Sequence, residues 1–479
     1  MKGTNTGLFI LLSALLFISI FYGYPAMLHL LPQGSHLWRQ ADCVAMSQNY
    51  QQFHLPFFQP QTYNLQSLNG RAAGEFPLFY FISAQLINVA FALRLLHTLI
   101  FISGISATYF IAFHFLQRRF LSLMCSLFMF TSPLLVFYGN NFLSDVPALS
   151  MAFIGWAFFL TAYKKSRLFG VGISFLCFAL AGLLKASELI NLAMITLFLL
   201  LQKDRNALFK WSLAWTILCG LLVFSWYFYA KQYNLENHDT YYFLSVFPVW
   251  KLSLYDIGLG AWRMLISLSK NYFWRPTSVL MIISAGYVFR HRNKLDRELR
   301  VVLLSGLAMT LLYILLFYQK MIGHEYYYVP FFVPLLFGII AILKTYNSYH
   351  AENVFSHAVL FLFLIPNLLF CKTFVKEKLT DATYNGYLAA PELQRVLVWE
   401  GIRPESTVLS LPDDSPNKTL SLLKRKGYTE FNDYKEILKN RKADYLVLSN
   451  DCWKQKNSLQ PYLKDSIGRF HAITLYKLK

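Results

Sequence analysis

The chain has 479 residues, 56% of them hydrophobic and 18% aromatic, and only 14% charged. A soluble globular protein carries about a quarter charged residues, so that class is excluded. The formal net charge is +19, but the basic residues sit in short turns between apolar runs. That placement points to a positive-inside bias and contact with anionic lipid, not to nucleic acid as a partner.

The apolar runs are long enough for helical membrane spans, which need roughly 17–25 residues each. The first covers residues 8–28, with only Lys2 ahead of it. Tyr24-Pro25-Ala26 is a poor cleavage site, so residues 1–30 are expected to be an uncleaved first span and not a signal peptide. A polar loop follows at 36–77. Within it, residues 42–50 are expected to form a short interfacial helix using Val44 and Met46. Phe53, Phe57, Phe58 and Tyr63 suggest an aromatic layer at headgroup depth, and Pro56 and Pro60 end any longer helix.

Residues 76–116 are apolar with one interruption, Arg94. A partly inserted helix followed by one full span fits that stretch. Further spans are expected at 120–138, 146–163, 168–184, 189–201 and 211–229. A long loop rich in Tyr, Trp and Phe covers 231–276, and spans resume at 278–289, 301–317, 326–343 and 354–370. The total is about 11 to 13 spans. Three basic turns, at 164–167, 203–210 and 290–300, belong inside by the charge rule. Alternation then places the 36–77 loop, Asp145, Lys185, the 231–276 loop and residues 319–325 outside.

Composition changes at Lys372. The transmembrane domain is therefore drawn at 1–372, and 373–479 as a small α/β domain on the outer face. Its β-like runs are at 407–411, 445–448 and 472–476, with helical patterns at 417–426 and 434–440. The six cysteines (Cys43, Cys125, Cys177, Cys219, Cys371 and Cys452) have neither metal-ligand spacing nor a disulfide pattern.

The polar residues of the outer connections carry the candidate chemistry. Asp42, in WRQAD, is suited to act as a general base or substrate-orienting carboxylate, or to pair with Arg39 or cap a helix. Glu75 precedes Phe76-Pro77 and Asp145 precedes Val146-Pro147, where a helix start favours an acid for its own sake. Lys185 ends a span on the outer side, against the charge bias, so it needs an anionic ligand such as a lipid phosphate or a pairing with Glu188. In GHEYYYVP, His324 and Glu325 are suited to a metal or a sugar, and the tyrosines to sugar stacking or an interfacial belt. His324 and Glu75 together are one candidate pair for a divalent metal.

These pieces occur in an order that resembles a known family. HLWRQAD with Asp42, EFPLFYF with Glu75, SPLLVFYGNNFLSDVPAL with Asp145, ALAGLLKAS with Lys185 and HEYYYVPFFVPL with His324 and Tyr326 resemble the polyprenol-phosphate-dependent membrane glycosyltransferases of the GT-C fold. The likeness is greatest to the protein-mannosyltransferase-like and aminoarabinose-transferase-like group, glycosyltransferase family 39-type, and covers about residues 8–343 in layout. It implies an all-α polytopic membrane protein with an inverting sugar transfer on the side away from the cytoplasm of a bacterial-type inner membrane. The donor would be a polyprenyl-phosphate sugar and the acceptor a lipid, glycan or protein. Asp42 would be the catalytic base or orienting carboxylate, Asp145 a second carboxylate bordering the cavity, and Lys185, His324 and Tyr326 would bind substrate, with Arg39 and Arg71 as further cations suited by charge to the phosphate. Glu75 and His324 would lie near a divalent metal. Two departures stand out: Cys43 follows Asp42 where many relatives have a second acid, and Phe76 follows Glu75 where the aminoarabinose transferases have Lys. A transporter or flippase of lipid-linked sugars, or a lipid-binding assembly partner, would share the spans and the charge.

Overall fold

The computed structural model describes residues 2–201, 207–242, 245–349, 354–381, 390–449, 456–470 and 473–479. Cys452, with Lys203 and Arg205 of one basic turn, lies outside the described residues. The chain divides into two compact units. The first comprises Met1–Leu28, His97–Trp226 and Ser245–Glu377; the second comprises His29–Leu96, Tyr227–Leu244 and Lys378–Lys479.

The first unit is helical. Among the described residues of the whole chain, five helices are long and apolar enough to cross a membrane, and six if one bent pair is counted as a span. Shorter apolar helices cover Thr6–Tyr22, Leu168–Leu184 and Ala186–Leu200. The Asp145–Lys164 window is 67% buried, whereas the Leu208–Glu236 window is only 22% buried. The second presents Leu218, Leu221 and Phe224 outward, as lipid-facing helices do, since lipid tails are as apolar as those side chains. The single span expected at 120–138 is instead two helices, Arg119–Met129 and Pro133–Gly139, bent by 71°. Pro133 lacks an N–H and forces Ser132 into extended backbone, which ends the first helix.

The loop expected at 231–276 contains an 18-residue helix, Leu254–Asn271. Ser253 caps it by accepting from the Asp256 N–H. One face stays open, with Leu254, Tyr255, Trp262 and Leu265 exposed. An amphipathic helix of this kind suits a membrane surface.

The second unit gathers the polar loop with the C-terminal α/β region. Gly34 adopts φ +71°, and a Cβ there would meet the Lys378 carbonyl at 2.1 Å, so only glycine fits. The Ser35 N–H then donates to that same carbonyl at 2.8 Å. Directly after this turn comes the Leu37–Gln52 helix. It is not interfacial: every residue from Gln40 to Tyr50 is buried. An interfacial helix keeps a polar face in water, whereas here Ala45 packs with Tyr63, Leu420 and Leu423 in one core cluster. Tyr63, expected at headgroup depth, is likewise fully buried, and its hydroxyl donates to Gln52 at 2.8 Å. Phe57 does sit among aromatics, edge-on to Phe58, Phe76 and Phe81.

The C-terminal sheet has five strands: β1 (Val408–Leu411), β2 (Gly427–Thr429), β3 (Tyr445–Ser449), β4 (Leu463–Phe470) and β5 (Ile473–Leu478). Their order is β2-β1-β3-β5-β4. β1 runs parallel to β2 and β3, while β5 is antiparallel to β3 and β4. Short helices at Lys418–Leu423 and Tyr434–Lys439 make the parallel crossovers. The loop joins this sheet. Gly427 N–H donates to the Tyr63 carbonyl at 3.0 Å, and Leu65 N–H donates to the Gly427 carbonyl at 2.8 Å. Lys426 Nζ reinforces the join by donating to Gln61 Oε1 and to the Thr62 and Asn69 carbonyls.

Candidate functional site

The polar candidates fall into two clusters, one in each unit. In the second unit, Asp42 lies in the second turn of the Leu37–Gln52 helix and is 1% exposed. Arg39, three residues earlier on the same face, brings Nη1 to 3.6 Å from Asp42 Oδ2. The same guanidinium donates to Glu75 and stacks 5.6 Å over the Tyr242 ring. Tyr241 donates its hydroxyl to Asp42 Oδ2 at 2.8 Å, and Asn417 donates Nδ2 to Asp42 Oδ1 at 2.9 Å.

Burial pushes the Asp42 carboxyl up from 3.8 to about 6, against the charge of Arg39 and the hydrogen bonds from Asn417 and Tyr241. A carboxylate held near 6 is a far better proton acceptor than one in water, and at neutral pH it is still ionised. Cys43 is no rival nucleophile. Burial pushes its thiol up to about 12, and its sulfur accepts from the Tyr80 hydroxyl at 3.2 Å. Arg71 takes another partner, with Nη1 3.5 Å from Asn237 Oδ1.

The second cluster lies in the first unit. Lys185 follows the last residue of the Leu168–Leu184 helix, where a cation is favoured by the helix dipole. Its Nζ is 3.0 Å from Asp145 Oδ1, in the first turn of the Asp145–Lys164 helix. Glu188 also feels the charge of Lys185, and its carboxylate accepts from Asn191 Nδ2 at 2.7 Å. The lysine ammonium also lies 5.4 Å from the Tyr326 ring centroid and 5.7 Å from that of Tyr327. His324 stacks on Tyr326 at 5.4 Å, and Tyr138 donates to Glu325 Oε1 at 3.0 Å. Tyr326 and Tyr328 are buried, so these tyrosines do not form an exposed belt. The arrangement is a lysine framed by π faces with the Asp145 carboxylate beside it, a setting suited to holding an anion.

Glu75 belongs to the second unit and His324 to the first. Glu75 is engaged by Arg39, and among the described residues no three His, Cys, Asp or Glu side chains are gathered as a metal would need.

Sequence reasoning placed Arg39 beside Asp42 on the same loop as Glu75, and missed the Arg39–Glu75 pair, Tyr241, Tyr242 and Asn417. The tyrosines were visible only as part of an aromatic loop. Asn417 is 375 residues from Asp42 in the chain, and no spacing signals such a contact.

No protein-family model matches the chain, and no curated protein matches it by sequence. Solved structures do. The chain is similar over 99% of its length to the crystal structure of ArnT from Cupriavidus metallidurans in the apo state, covering 98% of that chain with a TM-score of 0.64 and 13% identity. The same protein bound to undecaprenyl phosphate matches over 98% of both chains, with a TM-score of 0.64 and 12% identity. The arabinofuranosyltransferase AftD from Mycobacteria matches 98% of this chain and 41% of its own, with a TM-score of 0.59 and 13% identity. The archaeal oligosaccharyltransferase AglB from Archaeoglobus fulgidus, in complex with an inhibitory peptide and a dolichol-phosphate, matches 93% of this chain and 70% of its own, with a TM-score of 0.54 and 11% identity. At these identities the likeness is one of fold: the chain is a membrane protein with the GT-C fold and a small C-terminal α/β region.

Proposed function

We propose that the chain is a membrane glycosyltransferase that moves a sugar from a polyprenyl-phosphate donor to an acceptor on the extracytoplasmic face. One observation carries the proposal: Asp42 is a buried carboxylate with one oxygen held by an amide and the other by a hydroxyl donor. An attacking acceptor hydroxyl would make the same contact as the Tyr241 hydroxyl does now. The fold is shared with proteins described as transferases, one bound to undecaprenyl phosphate and one in complex with dolichol-phosphate.

The chemistry follows from charge. The acceptor oxygen bonds to the anomeric carbon from the face opposite the phosphate, so the configuration inverts. The carbon–oxygen bond to the polyprenyl phosphate breaks, and its electron pair leaves with the phosphate. Asp42 takes the proton of a hydroxyl acceptor, or aligns it; an already ionised acceptor needs no base. Lys185, beside Asp145 and the Tyr326 and Tyr327 faces, is suited to hold the phosphate and stabilise the departing charge. Arg39 and Arg71 are the cations available to substrate in the unit of Asp42, and His324 and Tyr326 are the groups available to it beside Lys185. No step is assigned to a metal.

The basic turns support a site outside a bacterial-type inner membrane, on the same side as residues 373–479. The test is a transfer assay with purified wild-type and Asp42→Asn proteins, offered radiolabelled polyprenyl-phosphate sugars and a membrane extract as acceptor. Label moving from lipid to acceptor only with wild type is the expected result. Transfer by the variant at the wild-type rate sinks the role of Asp42. Donor left intact while labelled lipid crosses a reconstituted bilayer replaces the transferase with a flippase.

A further inference from the structure

The amide that holds Asp42 comes from the C-terminal α/β region. Asn417 directly precedes the Lys418–Leu423 helix and is 1% exposed. Its Oδ1 accepts the backbone N–H groups of Tyr63 and Asn64, both at 3.1 Å. Those groups are obligate donors, so they identify the oxygen of the amide, and the NH2 has to face Asp42. The orientation is therefore set by the backbone of the polar loop and not by Asp42 itself.

The turn that carries Asn417 is braced as well. Asp413 accepts from the Ser415 N–H at 3.0 Å and the Thr419 N–H at 2.8 Å, and from both of their hydroxyls. Asn64 Nδ2 donates to the Pro416 carbonyl at 2.9 Å. Thr429 donates its hydroxyl to the Ser415 carbonyl at 2.7 Å. Asp42 Oδ1 is thus met by a group with little freedom to move. Oδ2 is met by the Tyr241 hydroxyl at 2.8 Å and, more loosely, by Arg39 Nη1 at 3.6 Å. The other titratable or charged groups around Asp42 are Arg39, Glu75 behind it, Cys43 and Tyr242.

We propose that Asn417 is a positioning residue: it fixes Asp42 Oδ1 so that Oδ2 faces the acceptor, and the Tyr241 hydroxyl holds the acceptor's place until a substrate hydroxyl displaces it. The proposal rests on the reading of Asp42 as base or orienting carboxylate, and it gives the C-terminal region a part in the reaction. Asn417 exchanges no proton. Its N–H favours the ionised carboxylate, and the acceptor's proton goes to Oδ2 as its oxygen joins the anomeric carbon.

The test uses the full chain in detergent, comparing wild type with Asn417→Asp, Asn417→Ala and Asp42→Asn. Asn417→Asp is nearly isosteric and keeps an oxygen for the Tyr63 and Asn64 N–H groups, so it is the variant expected to fold. It sets a second carboxylate 2.9 Å from Asp42 Oδ1, and two such groups share a proton. The first readout is thermal stability against pH. The difference between wild type and Asp42→Asn reports Asp42 alone, and that difference should move to higher pH by about one unit or more in the Asn417→Asp background. The second readout is transfer. Its acid limb should move upward in both Asn417 variants, with kcat reduced about tenfold or more and donor KM little changed. An unmoved acid limb and unmoved stability difference overturn the proposal, as does lower stability with an unmoved limb, which marks Asn417 as a brace only. The stability readout needs no sugar donor. If wild type transfers nothing, the transferase reading fails, while the stability difference alone still decides whether Asn417 sets the state of Asp42.

Discussion

At the scale of single residues, burial makes Asp42 costly to keep ionised, and the proposed role as base draws on that cost. Its folded pKa of about 6 lies above the unfolded value of 3.8, so the folded state binds the proton more tightly. The penalty is absent below the unfolded value, grows as pH rises, and is complete above about 6. Two units correspond to about 3 kcal/mol. Asp42→Asn removes that penalty and leaves an amide able to meet Asn417 or Tyr241. The expected outcome at pH 7.5 is an unfolding temperature equal to or above wild type, with transfer reduced by about a hundredfold or more. Differential scanning fluorimetry beside the transfer assay checks both halves, and a drop of several degrees refutes the first. The same value sets a pH dependence for wild type. Acting as a base, Asp42 has to be ionised, so kcat/KM should fall as pH drops through about 6 with a slope of one proton. A profile flat from pH 5 to 8 with a hydroxyl acceptor leaves Asp42 no role as a base.

At the scale of elements, the Lys185–Asp145 pair ties the end of the Leu168–Leu184 helix to the start of the Asp145–Lys164 helix. Its side chains are 15% and 4% exposed, so removing the lysine strands a charge where water barely reaches. Lys185→Met should destabilise by about 3 kcal/mol. The double variant Lys185→Met with Asp145→Asn should recover most of that loss and still fail to use donor, with kcat/KM for the lipid-linked sugar down by about a hundredfold. Recovery of both properties would make the pair purely structural.

The elements that could be read from the sequence are those bounded by charge. The helix expected at 168–184 is found there because Arg167 and Lys185 bound an uncharged, almost wholly apolar run. The run at 445–448 becomes β3, since its apolar residues face a core on both sides. Leu254–Asn271 was not legible, because Gly258 and Gly260 and its polar residues break up the apolar run, and its signal is periodicity alone. β4 reads LKDSIGRF, an edge strand with register shifts and no clean alternation. The site divides in the same way. Arg39, Asp42 and Glu75 share one loop and one charge logic, whereas Tyr241 and Asn417 reach Asp42 only through tertiary folding.

At the scale of the whole molecule, the proposed reaction depends on sidedness, because a polyprenyl-phosphate sugar presents its headgroup on one face of the membrane. The net charge of +19 is informative here through its distribution. The turn around Arg292–Lys294 is dense in Arg and Lys and exposed, and moving such a cluster across a membrane is strongly disfavoured. With that turn inside, alternation puts the polar loop of Asp42 and residues 373–479 outside. Cysteine labelling tests the assignment directly. Lys294 and Lys435 are both exposed, so Lys294→Cys and Lys435→Cys each offer a reachable thiol. Among the described cysteines Cys43, Cys125, Cys219 and Cys371 are buried, so the background needs Cys177→Ser and Cys452→Ser. A membrane-impermeant maleimide added to intact spheroplasts should modify Lys435→Cys at once and Lys294→Cys only after lysis. The opposite pattern would put Asp42 on the cytoplasmic side, where an acceptor in the cell envelope cannot reach it, and the proposed transfer could not take place there. Labelling of both positions in intact spheroplasts would mean that the basic turn does not set the orientation, so the span count between Lys294 and Lys435 would have to be even in place of odd.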